Sequence, residues 1–250
     1  MKLILSLITI FLFTNLTLAQ DFDYQTDFKK LVAQSKEKDN PNNYEKLKAE
    51  FMQNGENFSK EKVIALMVGQ TASKFYNPYE HIANERSYQN SAQFPADTVY
   101  KYADYYMKVN PISLSFNYGL WKTYEKDGDK VNSEKFKKKF NLLVESVLST
   151  GNGTNEKPYF VISPIDGQVI IRLYYKREIG IMGSGSDPNG NFVDILEMID
   201  GENSKTLYFV IEHAMSGIKE QLKQVDENEV EDKYEIDENG KVILKKKTED

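Results

Sequence analysis

The sequence predicts an α+β fold, with helical hairpins first and a small sheet carrying one or two helices after them. Three observations lead there. Residues 24–150 repeat apolar side chains at helical spacing. Residues 157–213 switch to short β-branched runs separated by Asp, Asn and Gly. With 250 residues and a 40% hydrophobic share, the chain is long and apolar enough to build one domain or two small ones, and too apolar to be wholly disordered.

The elements follow in order. Phe28, Leu31 and Val32 mark a short first helix. Tyr44, Leu47 and Phe51 recur at i, i+3 and i+7 after the Asn40-Pro41 break. Ser59 is placed to cap a third helix, with Phe58 stapled on Val63, and Val63, Ile64, Met67 and Val68 carry it towards Phe75. Residues 77–94 read as polar and irregular, bounded by Asn77-Pro78 and Phe94-Pro95. A helix over 96–109 shows Val99, Tyr100, Ala103 and Met107 on one face. Pro111 ends it, because its ring disfavours helical backbone at Asn110. Another helix runs over 113–126 and stops at Gly128. The next covers 133–149 through Phe136, Phe140, Leu143, Val144 and Val147, with Asn132 as cap and Gly151 as a left-handed terminus.

Pro158–Ser163 is β-rich. Residues 164–176 admit two readings. Ser163-Pro164-Ile165-Asp166 has the signature of a helix start, with a capping Ser, an early Pro and an acid at the third position. A hairpin turning at Asp166-Gly167 into the β-branched run after it competes with that. The capping signature favours the helix. Strands are expected over 179–183, 192–199 and 206–211, turning at 187–190 and 200–203. A last helix is expected over 214–225. Beyond Gly217 about half of the residues are charged, so residues 217–250 read as a largely mobile tail with a marginal hairpin over 234–244.

Residues 1–19 read as a signal peptide. Lys2 supplies the charge, Leu3–Phe13 the apolar run, and Thr17-Leu18-Ala19 the small residues before cleavage. The run is short of the roughly 20 residues a spanning helix needs, which weighs against a membrane anchor. Gln20 stands where a bacterial lipoprotein requires Cys. The expected location is periplasmic or secreted, reached across the inner membrane. Cleavage removes one Lys and no acid, moving the formal charge from −6 to −7. An acidic chain without a basic stripe argues against nucleic acid as partner.

The rest divides into a helical part over 20–150, a small α/β part over 151–216 and the tail. Ala96–Leu148 resembles tetratricopeptide-type hairpins, with Asn110-Pro111 closing one repeat and Gly128-Asp129 turning the next. A wider resemblance is carried by Tyr44–Phe51, Phe58–Glu61 and Asn77-Pro78-Tyr79. Ser149–Gly153, Tyr159–Ser163, Asp194-Ile195-Leu196 and Leu207-Tyr208-Phe209 continue it. Together these resemble a secreted Bacteroidota family, domain of unknown function family four-nine-one-nine, over roughly residues 25–213. The resemblance favours a helix over 164–176 and implies no activity and no catalytic residue. Val169–Tyr175 is more β-branched and aromatic than that family's pattern, and the charged tail runs past its usual end.

Chemistry is sparse. With no Cys and two His, thiol nucleophiles, disulfides and Cys-type zinc sites are excluded, and no metal or cofactor is expected. The acidic run from Asp226 has Val230 and Glu231 where a calcium loop needs an oxygen ligand and Gly. Gly183–Gly190 lacks the Lys-Ser/Thr ending of a phosphate loop and reads as a flexible strand connection. His81 sits on the segment with Tyr76, Tyr79 and Arg86, and His213 reads as a surface residue at the end of an element. Tyr100, Tyr102, Tyr105, Tyr106, Tyr118, Trp121 and Tyr124 crowd two neighbouring helices, where packing is the leading explanation and an aromatic binding face the second. Tyr76, Tyr79, His81, Arg86, Tyr118 and Trp121 are the candidate binding residues, and no residue is assigned to catalysis. The sequence therefore points to an exported, non-enzymatic binding or scaffolding protein of the bacterial envelope, with an envelope protein or peptide as partner. A hydrolase or transferase working through carboxylates is the alternative. An aromatic groove would favour the first, and two facing carboxylates with shifted protonation in a cleft the second.

Overall fold

The computed structural model describes residues 22–216 and two short strands, Tyr234–Ile236 and Val242–Leu244. The signal segment, the acidic run from Asp226 and most of the tail lie outside the described residues. The helical part comprises α1 (Tyr24–Lys36), α2 (Tyr44–Asn54), α3 (Lys60–Thr71), α4 (Ile82–Gln89), α5 (Ala96–Val109), α6 (Leu114–Asp127) and α7 (Lys130–Leu148). Then come β1 (Tyr159–Phe160), α8 (Asp166–Val169, continued by a π turn over Ile170–Tyr174), β2 (Glu178–Ser186), β3 (Phe192–Asp200) and β4 (Asn203–Val210). This is the α+β arrangement expected, helices first. The sheet order is β1-β4-β3-β2, with β1 parallel to β4 and the other pairs antiparallel. Strands β5 (Tyr234–Ile236) and β6 (Val242–Leu244) pair with each other as the expected hairpin.

Capping residues set several boundaries. Ser59 accepts from the Lys62 amide, and Ser113 from that of Phe116. Gly128 ends α6 at φ +82°, a left-handed conformation that costs a residue with a Cβ roughly 1–2 kcal/mol. The reading of 164–176 resolves to helix. Asp166 Oδ2 reaches back to the amides of Ile162 and Ser163, the reciprocal half of a capping box, and Ser163 Oγ accepts from Ile165.

Four expectations need correction. Residues 77–94 are not irregular throughout, since α4 and a 3-10 turn at Ser91–Gln93 occupy much of them. Helix α7 starts three residues early, because Asp129 rather than Asn132 supplies the cap, accepting from the Asn132 amide and side chain. Gly151 is not left-handed, and Gly153 holds that conformation at φ +75°. Gly183–Ser186 belongs to β2, so the flexible connection shrinks to the turn over 187–191, where Asp187 accepts from the Asn189 and Asn191 amides. The expected helix over 214–225 is helical over the described residues 212–216.

Two apolar clusters result. The main core joins α1, α2, α3 and α7 to the sheet through Phe51, Leu66, Leu143, Phe160, Ile170 and Phe209. A smaller one gathers Tyr88, Val99, Tyr106, Phe116, Leu120 and Phe136 from α4, α5, α6 and α7. The candidate groove lies over this second cluster.

Candidate binding groove

Helix α5 has two aromatic fates on one side. Tyr102, Tyr105 and Tyr106 fall at i, i+3 and i+4, so they share a helix face. Tyr106 turns inward and is buried against Tyr88 and Phe116, with ring centroids 5.0 and 5.3 Å away. Tyr102 and Tyr105 stay 58% and 61% exposed, which corrects the expectation that the cluster as a whole packs as core. Phe94, just before α5, is 46% exposed.

These side chains border a groove of about 640 Å³ between α4, the 3-10 turn and α5. Ligand pockets commonly span about 300–1,000 Å³. Tyr88, Val99 and Tyr106 also line it, with Asn84, Ser87, Ser91 and Thr98. No Asp, Glu, Lys, Arg or His lines it, and burial pushes the Tyr88 and Tyr106 hydroxyls up from their ordinary value. Two of the small hydroxyls are already committed. Ser87 donates to the Ala83 carbonyl at 3.0 Å and Ser91 to that of Gly119 at 2.8 Å.

The six residues singled out from sequence separate into different surroundings. Tyr76 donates to the Ile162 carbonyl at 2.8 Å, and its ring lies 6.0 Å from His213. Tyr79 contacts the Met215 sulfur. His81 precedes α4, half-buried, 6.2 Å from the Tyr106 ring, with its pKa lowered by burial. Arg86 is exposed on α4. Tyr118 and Trp121 are half-buried and pack on Phe140. None of the six lines the groove, although His81 and Arg86 belong to the segment that builds its α4 wall. The spacing of Tyr102 and Tyr105 was the signal that could have found it.

A second arrangement lies inside the protein. Glu85 and Asp166 are 1% and 2% exposed. Glu85 accepts from Ser113 Oγ at 2.9 Å and from Ser163 Oγ at 2.6 Å. Asp166 Oδ1 is buried with no hydrogen-bond partner. Burial raises the pKa of both, and the charge of Glu85 raises that of Asp166 further. These are electrostatically coupled acids with shifted protonation, but they are enclosed rather than set in a cleft. Glu85 joins Ser113, the N-cap of α6, to Ser163 in the turn before α8, and Asp166 holds the backbone of that same turn.

His213 is not a surface residue of the expected kind. Tyr24, Phe28, Tyr76 and Phe160 surround its ring, and Tyr24 Oη sits 3.2 Å from Nδ1. Burial lowers its pKa to about 3, so the ring is neutral near pH 7. Among the described residues, no group of three or more His, Cys, Asp or Glu is placed to hold a metal ion. No described helix is long and apolar enough to cross a membrane.

A family model described as Domain of unknown function (DUF4919) matches residues 29–220, and the chain belongs to that family. No curated protein and no solved structure matches the chain.

Proposed function

We propose that this member of the DUF4919 family is an exported, non-enzymatic binding or scaffolding protein of the bacterial envelope, and that the groove between α4 and α5 is its recognition surface. One observation carries the reading. Three large aromatic side chains, Phe94, Tyr102 and Tyr105, stand in solvent around a single concavity instead of packing into the core that lies beneath it. Rigid aromatic side chains bury much area for little lost rotamer freedom, which suits recognition of a protein or peptide segment. The helices of 96–148, with their likeness to tetratricopeptide hairpins, would act as the scaffold that presents this face.

The carboxylate reading gains less support. Hydrolytic acids must reach substrate, and Glu85 and Asp166 are enclosed by serine hydroxyls and backbone amides.

The test is capture from the native envelope with the mature chain, residues 20–250, beside a Tyr102→Ala/Tyr105→Ala variant. Enrichment of a partner by the wild type and its loss with the variant is the expected result. Equal capture by both would remove the groove from the function. Intact-mass analysis of the envelope fraction should show a chain lacking residues 1–19, and recovery of the full-length chain would overturn export with cleavage.

A further inference from the structure

The chemistry of the groove narrows its occupant. We propose that the groove, taken as the recognition surface on the reading above, holds an uncharged, proline-rich segment of a partner protein in the extended polyproline II form.

The walls of the groove bear first on this. They are α4, a 3-10 turn and α5, whose backbone groups are largely consumed by their own helical hydrogen bonds. A peptide in β conformation needs a row of backbone partners, as on a sheet edge, and these walls offer none. A polyproline II segment makes no internal hydrogen bonds, and its proline residues have no N–H to satisfy. It presents rings and bare carbonyls, and it arrives already ordered, which lowers the entropy cost of binding.

The lining is complementary to that inventory. Exposed Phe94, Tyr102 and Tyr105 offer flat apolar faces to pyrrolidine rings, as aromatic-lined grooves do for proline-rich ligands generally. The Asn84 amide, the Thr98 hydroxyl and the phenols of Tyr102 and Tyr105 are neutral donors for carbonyl oxygens. No charged side chain lines the groove, so a charged segment would lose hydration without gaining a partner.

A neutral oligosaccharide also stacks on aromatic rings, but it carries hydroxyls on every side. Ser87 and Ser91, two of the lining hydroxyls, already donate to the Ala83 and Gly119 carbonyls. The floor itself is Tyr88, Val99 and Tyr106. The four donors that remain, on Asn84, Thr98, Tyr102 and Tyr105, are too few for the hydroxyls of an oligosaccharide, so it would lose more hydrogen bonds to water than this surface returns.

The experiment is a calorimetric titration of the mature chain with an acetylated, amidated oligoproline, with a Gly-Ser peptide of the same length and a neutral oligosaccharide as competing probes. Saturable binding of the oligoproline alone is expected, weakened about tenfold or more by Tyr102→Ala or Tyr105→Ala. Because both side chains are exposed, unchanged melting of the variants shows that the loss is local. Absence of oligoproline binding, or binding that the variants leave intact, overturns the proposal. Groove-dependent binding of the oligosaccharide also overturns it. In either case, groove-dependent capture from the envelope would still uphold the groove as the recognition surface, so the two failures are distinguishable.

Discussion

The hydroxyl of Ser163 donates to Glu85 Oε2 at 2.6 Å, across 78 residues of sequence. Ser163 also opens the turn that leads into α8, and Ser113, which donates to the other Glu85 oxygen, caps α6. One carboxyl on α4 thereby ties two helix starts together, one in the helical part and one beside the sheet. Each hydroxyl spends its proton on Glu85 and keeps its lone pairs for its own helix. Two hydroxyl donors favour the charged form of this acid, yet burial still drives it towards its neutral form.

This pair makes stability depend on pH. Both carboxyls have folded pKa values above the ordinary range of about 4, so the folded state binds more protons than the unfolded one at mildly acidic pH. Their contribution is fully present below that range and is lost as pH rises through the folded values. Glu85→Gln removes one of the two titrations while keeping an oxygen for one serine and a donor for the other. The variant should gain stability relative to wild type between about pH 5 and pH 8, by at least about 1 kcal/mol at the alkaline end. Urea melts across that range test it, and an unchanged pH slope would refute the burial argument.

His213 has the opposite sign. Its folded pKa is about 3, against an ordinary value of about 6.5. Its contribution is therefore present above the ordinary value and is lost as pH falls towards the folded one. Tyr24 and Tyr76 are the titratable side chains against its ring, and with Phe28 and Phe160 they surround the imidazole with aromatic carbon, which hydrates a cation poorly. His213→Phe should lose the Tyr24 contact at neutral pH, at a cost of roughly 1 kcal/mol, and should lose less stability than wild type between pH 6 and pH 4. Parallel acid titrations followed by circular dichroism would show this, and coincident curves would place the acid sensitivity elsewhere.

Two glycines with nearly the same backbone separate strain from collision. Gly128 has φ +82° and open space where a Cβ would go, whereas Gly153 has φ +75° and would place a Cβ 2.5 Å from the Tyr159 ring and 3.1 Å from Leu207. Gly128→Ala should cost roughly 1–2 kcal/mol, the left-handed penalty alone. Gly153→Ala carries the same penalty plus displacement of a buried Tyr, and should exceed it by about 1 kcal/mol or more. Equal losses in thermal melts would mean that Tyr159 yields freely.

How far the fold was legible depended on range. Ser59, Gly128 and the Ser163–Asp166 signature act within a few residues, and the start of α3, the end of α6 and the choice of helix over hairpin at 164–176 follow from them. Helix α4 escaped because its buried residues are Glu85 and Tyr88, and a buried acid leaves no apolar periodicity to read. What makes Glu85 tolerable there comes from Ser113 and Ser163, far away in sequence. His213 was misplaced for the same reason, since its cage is assembled from α1, β1 and the segment before α4. The groove was half legible. The Tyr102, Tyr105, Tyr106 spacing marks one helix face, but only the packing of α4 against α6 shows that two of the three stay outside.

Trp121 lies between the core and surface readings. It is half-buried, its ring 6.0 Å from Phe140 and edge-on to Tyr118 at 5.5 Å. Lys122 and Lys137 hold their ammonium groups 4.9 and 5.7 Å from its centroid on the solvent side. Trp121→Ala therefore removes packing against one buried ring but opens no closed cavity, because solvent can fill much of the space. The cost should be about 1–3 kcal/mol, below the roughly 3–5 kcal/mol of a fully enclosed aromatic and above the roughly 0.5 kcal/mol typical of a surface change. Trp121→Phe should recover most of it, since the contact with Phe140 survives while the cation–π contribution of the two lysines weakens. Trp121 is the only tryptophan, so wild-type emission reports this site alone, and it should fall between the buried and solvent-exposed extremes. Because Trp121 does not line the groove, Trp121→Phe should leave oligoproline binding unchanged. A loss above about 4 kcal/mol for the alanine variant would show that the ring is enclosed, and weakened binding by the phenylalanine variant would show that the recognition surface extends onto α6.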